Sequence, residues 1–320
     1  MKILVVGIAR SGTSFLGEIF GQNPTMAYLY EPFWGNTIIK QKQFLWLTEG
    51  DDQPDSERLL REVFNGRFDE LERQQPQPRN HNFTSRREEV TRYLRGRSIT
   101  NSTDVVVKEI RLNIQLRWVV KVMGSDLRIV HLIRDPRGVV ASFLLPMKER
   151  ANRSGVEQVL RLSSIFSRTT AANTMYSDWG WNRAPELQRF APEFQDYGRL
   201  LDTGSPHQRV AARWALMTGH AISDTAKIPA RQYYRVRYED LCRDPVGVCG
   251  RIYEFLGKAV PQGVTDWLLK NTQGGNRENR YRTSRDSLEM IDVWKSQLTK
   301  EQVRHIESLC RPLMETLGYL

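Results

Sequence analysis

Residues 7–14 read Gly-Ile-Ala-Arg-Ser-Gly-Thr-Ser and follow directly on the apolar run Lys2–Val6. The frame G-x-x-x-x-G-x-S, set between an apolar strand and a helical pattern, is that of a phosphate-binding loop. Glycines let the backbone curl until successive N–H groups point inward, and the start of the next helix adds partial positive charge. Ser11, Thr13 and Ser14 contribute hydroxyls and Arg10 a guanidinium, so the loop suits an anion. Loops for Mg-bound nucleoside triphosphates place a lysine where Thr13 stands and draw a metal-holding aspartate from another strand end. Here the cation comes earlier, at Arg10, and the run ending at Ile133 is followed by Arg134 first and Asp135 second. The departure predicts an anion other than a metal-bound triphosphate; the plainer alternative is an ordinary glycine-containing strand-to-helix turn.

A second constellation is Arg134-Asp-Pro-Arg137-Gly-Val-Val-Ala-Ser142. An apolar strand ends in Arg134, Pro136 can open a helix, and Ser142 falls about two helical turns on. A guanidinium fork with a nearby hydroxyl can hold a second phosphate. Taken alone, the segment reads equally as a helix start with solvent-facing arginines; beside the first loop, the phosphate reading is preferred.

These side chains need a scaffold, and the chain supplies one. Lys2–Val6, Ala27–Tyr30, Asp104–Lys108, Arg128–Ile133 and Tyr233–Tyr238 are short apolar or β-branched runs at wide intervals. Separated by helical patterns, they predict a largely parallel sheet of about five strands in an α/β fold. Thr13–Phe20 places Phe15, Leu16, Ile19 and Phe20 on one helical face, Asp244-Pro245 opens a helix stopped by Gly257, and a last helix starts near Thr299. Residues 49–103 and 146–208 break the rhythm and read as irregular insertions. With no repeat and no boundary signal, residues 1–320 are expected to form one domain.

Length and composition exclude other classes. The 320 residues carry 47 Lys+Arg against 37 Asp+Glu, a net charge of +10, with 40% hydrophobic residues. That is too apolar for a disordered tail, and the longest apolar stretch, Ile3–Ala9, is far short of the ~20 residues of a membrane span. The positive excess predicts an anionic partner. Cys242, Cys249 and Cys310 have no metal-binding spacing and allow at most one internal disulfide, in any of three pairings. Asn82, Asn101 and Asn152 stand in glycosylation triplets, which permit a secretory lumen.

Taken together, the motifs resemble those of the sulfotransferases that use 3′-phosphoadenosine-5′-phosphosulfate (PAPS), and more closely the Golgi carbohydrate 6-O-sulfotransferases acting on galactose, N-acetylglucosamine or N-acetylgalactosamine. Arg10-Ser-Gly-Thr-Ser-Phe15 is similar to that family's 5′-phosphosulfate loop, Tyr30-Glu-Pro-Phe-Trp34 to its second-strand motif, and Ile133–Gly138 with Ser142 to its 3′-phosphate segment. Arg237-Tyr-Glu-Asp-Leu241 with Asp244-Pro245, and Tyr281–Ser287 with Trp294-Lys295, resemble further signatures. Thr13 stands where the family usually has Ser, and Tyr281-Arg-Thr replaces Tyr-Gly-Thr. The resemblance implies a P-loop-like sulfotransferase fold, PAPS as donor with 3′,5′-ADP as product, no metal and a glycan or proteoglycan acceptor. It also implies a Golgi-lumen setting and a membrane helix with a stem upstream of Met1.

For such a reaction Arg10, Ser11, Gly12, Thr13, Ser14 and Phe15 would hold the donor's phosphosulfate end, and Arg134 and Ser142 its 3′-phosphate. Tyr238, Arg285 and Ser287 are further cofactor-contact candidates, Arg285 and Ser287 by resemblance alone. Glu31 is the leading general base: it follows the second strand, shares a sheet edge with the phosphate loop if the strands are parallel, and related enzymes use a glutamate in a similar Glu-Pro setting. Its competing reading is a helix-terminal charge or a salt bridge to an arginine. His207 and His220 are alternative bases; His131 reads as core and His305 as helix surface. Lys108 and Arg111 bracket a strand end and could face an anionic acceptor, though surface charge is the plainer reading of each. Two other functions fit the loop: a nucleotide or sugar kinase, which the missing lysine disfavours, and a basic glycan-binding module without turnover. No nucleic-acid-binding module accompanies the charge.

Overall fold

Branched and aromatic side chains fit a pleated surface buried on both faces, and five runs of them form strands. In a computed structural model, which describes residues 1–33, 47–66, 104–154, 195–272 and 287–320, these are β1 (Lys2–Val6), β2 (Met26–Tyr30), β3 (Asp104–Lys108), β4 (Leu127–Ile133) and β5 (Tyr233–Arg237). They form one sheet in the order β2-β3-β1-β4-β5, and all four pairings are parallel. The α/β architecture expected from the sequence is the one observed. Three boundaries differ by one residue, and one difference matters: Tyr238 does not end β5 but opens a helix, because the pattern after Arg237 turns from alternation to a helical repeat.

The chain divides into two compact units, Met1–Ile133 with Asp224–Met290, and Arg134–Ser223 with Ile291–Leu320. The first holds the whole sheet. Its core is built on Ile3, Leu4, Val5 and Val6 of β1, all fully buried. Helix α1 (Thr13–Gly21) turns Leu16, Ile19 and Phe20 inward. Helix α2 (Pro54–Phe64) lies inside the stretch expected to be irregular; Pro54 at its start, Asp55 and Glu57 in its first turn and Arg61 in its last all favour a helix there. α3 (Leu116–Met123) precedes β4. After β5 come α7 (Tyr238–Arg243), α8 (Pro245–Phe255), capped by the Asp244 carboxylate on the Gly247 N–H, and α9 (Gln262–Thr272).

Because every strand runs the same way, all carboxyl ends lie along one edge of the sheet. Gly7 follows β1, Glu31 follows β2, Glu109 follows β3 and Tyr238 follows β5 along that edge. From β1 the chain leaves toward β2, and from β4 toward β5 on the other side, so the end of β1 adjoins a topological switch point, where open α/β sheets bind ligands.

The second unit is helical. It contains α4 (Pro136–Ser154), α5 (Gln195–Thr203), most of α6 (Pro206–Thr225) and of α10 (Glu289–Gln297), and α11 (Lys300–Thr316). α4 and α5 thus extend helix into both ends of the region 146–208, expected to be irregular; residues 155–194 lie outside the described set, as do residues 67–103. Thr299 and Gln302 form a capping box at the start of α11. Arg137 ties the ends of the unit together: it donates to Asp135, to Glu307 Oε1 (2.7 Å) and to the Tyr319 carbonyl (3.1 Å), and its guanidinium lies 4.4 Å from the centre of the Trp294 ring. All three cysteines are free and buried.

Candidate active site

The loop after β1 closes tightly because its glycines leave no room for a side chain. A Cβ on Gly7 would stand 2.3 Å from the Leu132 carbonyl oxygen. Gly12 has a left-handed φ of 98°, and a Cβ there would lie 2.4 Å from Tyr238 Cδ2. Tyr238, at the start of α7 and 7% exposed, therefore forms a wall of the loop. Gly12 is also the residue before α1, so no capping side chain covers that helix end, and α1 has no acidic residue in its first turn. A helix start left in this way presents N–H groups and partial positive charge to an anion.

The hydroxyls of the loop divide in role. Ser11 is fully buried and donates its hydroxyl to the Ile8 carbonyl (2.6 Å), as its N–H also does (3.2 Å). It braces the turn, whereas the sequence suggested a donor for the ligand. Thr13 is buried at the first position of α1 and Ser14 is half-buried. Phe15 is half-buried, with its ring centre 6.0 Å from that of Trp267 on α9, and packs between helices. Arg10 is half-buried with a left-handed φ of 72°.

The second positive-φ residue other than glycine, among those described, is Glu31, at 42°. Its backbone N–H donates to the Lys108 carbonyl (2.8 Å), extending the β2–β3 ladder by one bond past the Tyr30–Lys108 pair. One carboxylate oxygen, Oε1, takes the Lys108 ammonium, and the other, Oε2, lies 3.5 Å from Arg111 Nη2. Arg111 also donates through Nη1 to Glu109 Oε1 (2.5 Å), and the Phe33 N–H donates to Glu109 Oε2 (3.3 Å). The Lys108 ammonium stands 4.4 Å from the centre of the Tyr30 ring. Lys108, Arg111 and Glu109 are almost wholly enclosed, whereas Glu31 keeps 13% of its side chain exposed. Burial opposes the charge on Lys108, but Glu31, Tyr30 and Glu109 outweigh it and raise the ammonium's pKa above its ordinary value. Burial pushes Glu109 up in turn, against the pull of Arg111.

Lys108 and Arg111 are therefore not the surface charges that their residue types suggested. No spacing signal announces this cluster, because it is made by β2–β3 register across 77 residues.

The remaining candidates are placed as follows. Ser287 is buried, and its hydroxyl lies 2.8 Å from the Cys242 carbonyl and 3.4 Å from that of Thr272. Arg285 and the Tyr281 motif lie outside the described residues. His131 is core, as expected; its Nδ1 is 3.0 Å from the Tyr233 hydroxyl, and burial with nearby Arg235 lowers its pKa to about 3. In the second unit Arg134 is 5% exposed, its carbonyl accepts from Trp214 Nε1 (2.9 Å), and its guanidinium lies over Gly138, whose Cβ would meet Nε at 2.8 Å. Ser142 is half-buried on α4. His207 and His305, half-buried, stack at 5.3 Å with a 3.0 Å nitrogen–nitrogen contact, so His305 is not the plain surface residue expected. His220 is half-buried on α6.

The sequence matches the family described as "Sulfotransferase domain" over residues 1–318. Among curated proteins, Carbohydrate sulfotransferase 1 of Danio rerio is 25% identical over 363 aligned residues, covering 99% of this chain and 77% of that protein. Carbohydrate sulfotransferase 5 of Mus musculus is 26% identical over 362, covering 100% and 80%. Of solved structures, "Sulfotransferase Domain from the Curacin Biosynthetic Pathway" is 14% identical at a TM-score of 0.47, covering 96% of this chain and 95% of that one.

Proposed function

We propose that this chain, which belongs to the sulfotransferase domain family, transfers a sulfuryl group from PAPS to a sugar hydroxyl of a glycan, with the 6-hydroxyl of galactose, N-acetylglucosamine or N-acetylgalactosamine as the preferred position. The observation that carries the reading is local: a glycine-walled anion loop with an uncapped helix start lies on the same sheet edge as a partly exposed glutamate. Relatives across nearly the whole chain bear the name carbohydrate sulfotransferase, which supports the sugar acceptor.

The loop suits such a donor. With Gly12 at the cap position no side chain covers the start of α1, which offers its N–H groups without a competing carboxylate. PAPS supplies, when bound, a sulfuryl group on a phosphate that departs with the bonding electron pair. The chain's own residues do the rest. Arg10 and the first N–H groups of α1 stabilise the charge that grows on phosphate and sulfuryl oxygens. Glu31 takes the proton of the acceptor hydroxyl as that oxygen bonds to sulfur, a contribution of ~10²–10⁴-fold for a positioned base. Arg134 and Ser142 are assigned the 3′-phosphate, by their resemblance to the family segment. The same resemblance assigns the reaction to the Golgi lumen, and the positive net charge favours an anionic acceptor.

The test is labelled-sulfate transfer from PAPS onto a panel of defined glycans with the product linkage determined, paired with thermal unfolding in 3′,5′-ADP or Mg-ATP. A ligand at a hundredfold excess over Kd stabilises by ~2.7 kcal/mol. We expect stabilisation by 3′,5′-ADP and a sulfated sugar product. Stabilisation by Mg-ATP alone would point to a kinase, and glycan binding without transfer to a non-catalytic module.

A further inference from the structure

We infer that Lys108 is a positioning residue for the transfer reaction: with Arg111 behind it, its ammonium holds the Glu31 carboxylate at the sheet edge as an anion ready to take the acceptor's proton. The inference rests on the preceding reading of Glu31 as the base and adds the device that keeps it in that state.

The geometry is specific. Each carboxylate oxygen of Glu31 faces its own cation, Oε1 the Lys108 ammonium and Oε2 the Arg111 guanidinium. Both cations are 2% exposed, so each requires a nearby anion, since a buried charge without a partner is strongly disfavoured. Arg111 is shared with the fully buried Glu109, which is itself fixed to the Phe33 N–H and the Arg111 N–H. Lys108, by contrast, directs its ion pairs to Glu31 and lies over the ring of Tyr30. Among the described residues, Tyr30 of β2, Lys108 of β3, and Glu109 and Arg111 after β3 surround this carboxylate. Of the four ion-pair members Glu31, Lys108, Glu109 and Arg111, Glu31 is the most exposed, at 13% of its side chain, and there an acceptor hydroxyl could meet it.

The backbone supports the same assignment. Glu31 adopts a left-handed φ of 42° directly before Pro32, a strained conformation that persists only where surroundings over-determine it. The surroundings here are Lys108 twice over: its carbonyl accepts the Glu31 N–H at 2.8 Å and its ammonium takes the carboxylate. Lys108 therefore engages both the backbone and the side chain of Glu31. An opposite charge at such range lowers a carboxyl pKa by ~1–3 units, so loss of Lys108 shifts proton binding at Glu31 upward.

The experiment reads Glu31 directly. In ligand-free protein labelled with carboxyl-¹³C glutamate, the Glu31 signal is assigned by its loss in Glu31→Gln and followed through pH. In Lys108→Met its titration midpoint is expected to rise by at least about one pH unit, with Lys108→Arg restoring it. The acidic limb of kcat/KM for sulfate transfer is expected to move in parallel, while the Kd for 3′,5′-ADP changes less than threefold. An unmoved midpoint in Lys108→Met overturns the inference. A moved midpoint in a protein that transfers no sulfate instead overturns the function and leaves the charge pair standing. Should Lys108→Met not fold, the double variant Glu31→Gln/Lys108→Met decides the matter, because removing both charges must restore folding; failure to restore it overturns the pairing.

Discussion

Arg10 and Glu31 share a backbone feature that sets them apart: they are the two non-glycine residues, among those described, with left-handed φ. Such conformations collect where function over-determines the chain, and both residues were singled out from the sequence for their chemistry. The feature also separates a stability effect from a functional one. Arg10→Gly removes the guanidinium while relieving the left-handed strain, so unfolding in urea should change by no more than about 1 kcal/mol, the gain offset by the freer unfolded chain. Transfer should nevertheless be lost and 3′,5′-ADP bound at least tenfold more weakly. Full transfer without Arg10 would refute its role. Glu31→Gln keeps the side chain's size and should leave 3′,5′-ADP affinity within threefold. Its transfer rate should fall by ~10²–10⁴-fold, and a surviving rate would move the base elsewhere.

Elements carry their own consequence at the β4–β5 seam. His131 on β4 is buried against Tyr233 on β5, and its pKa is lowered to about 3 from an ordinary 6.5. Between those values the unfolded chain binds a proton that the folded chain refuses. Stability therefore falls as pH drops from about 6.5 toward 3, and His131 imposes no such penalty above that window. His131→Gln should flatten the dependence of Tm on pH between 6.5 and 4 relative to the parent protein. Parallel curves for the two proteins would show that His131 is not the titrating group. The same seam explains why β5 ends at Arg237: Tyr238 turns into α7 and carries its ring against Gly12, so the helix start, not the strand end, shapes the phosphate loop.

At the scale of the whole molecule the net charge of +10 divides into engaged and available parts. Lys108, Arg111 and Arg137 are held by carboxylates inside their own units and contribute little field outside. An anionic acceptor would be drawn by the remainder, through solvent in which fields decay over ~10 Å at 0.1 M salt. Raising salt from about 0.05 to about 0.5 M should thus raise KM for a sulfated or acidic glycan several-fold and barely move KM for a neutral one. Equal changes for both would remove the electrostatic argument for an anionic acceptor. The parallel α/β sheet and the loop after β1 are legible in the sequence, because apolar runs and glycine-punctuated turns are local properties written in consecutive residues. The sequence also singled out Glu31 as a residue of interest. Its surroundings come with the fold: Lys108 and Arg111 are buried ion partners and not surface charge, Ser11 braces the loop, and Tyr238 walls it. The physical reason is that charge burial and wall contacts depend on strand register and helix placement, which bring Lys108 to Glu31 across 77 residues and Tyr238 to Gly12 across most of the chain.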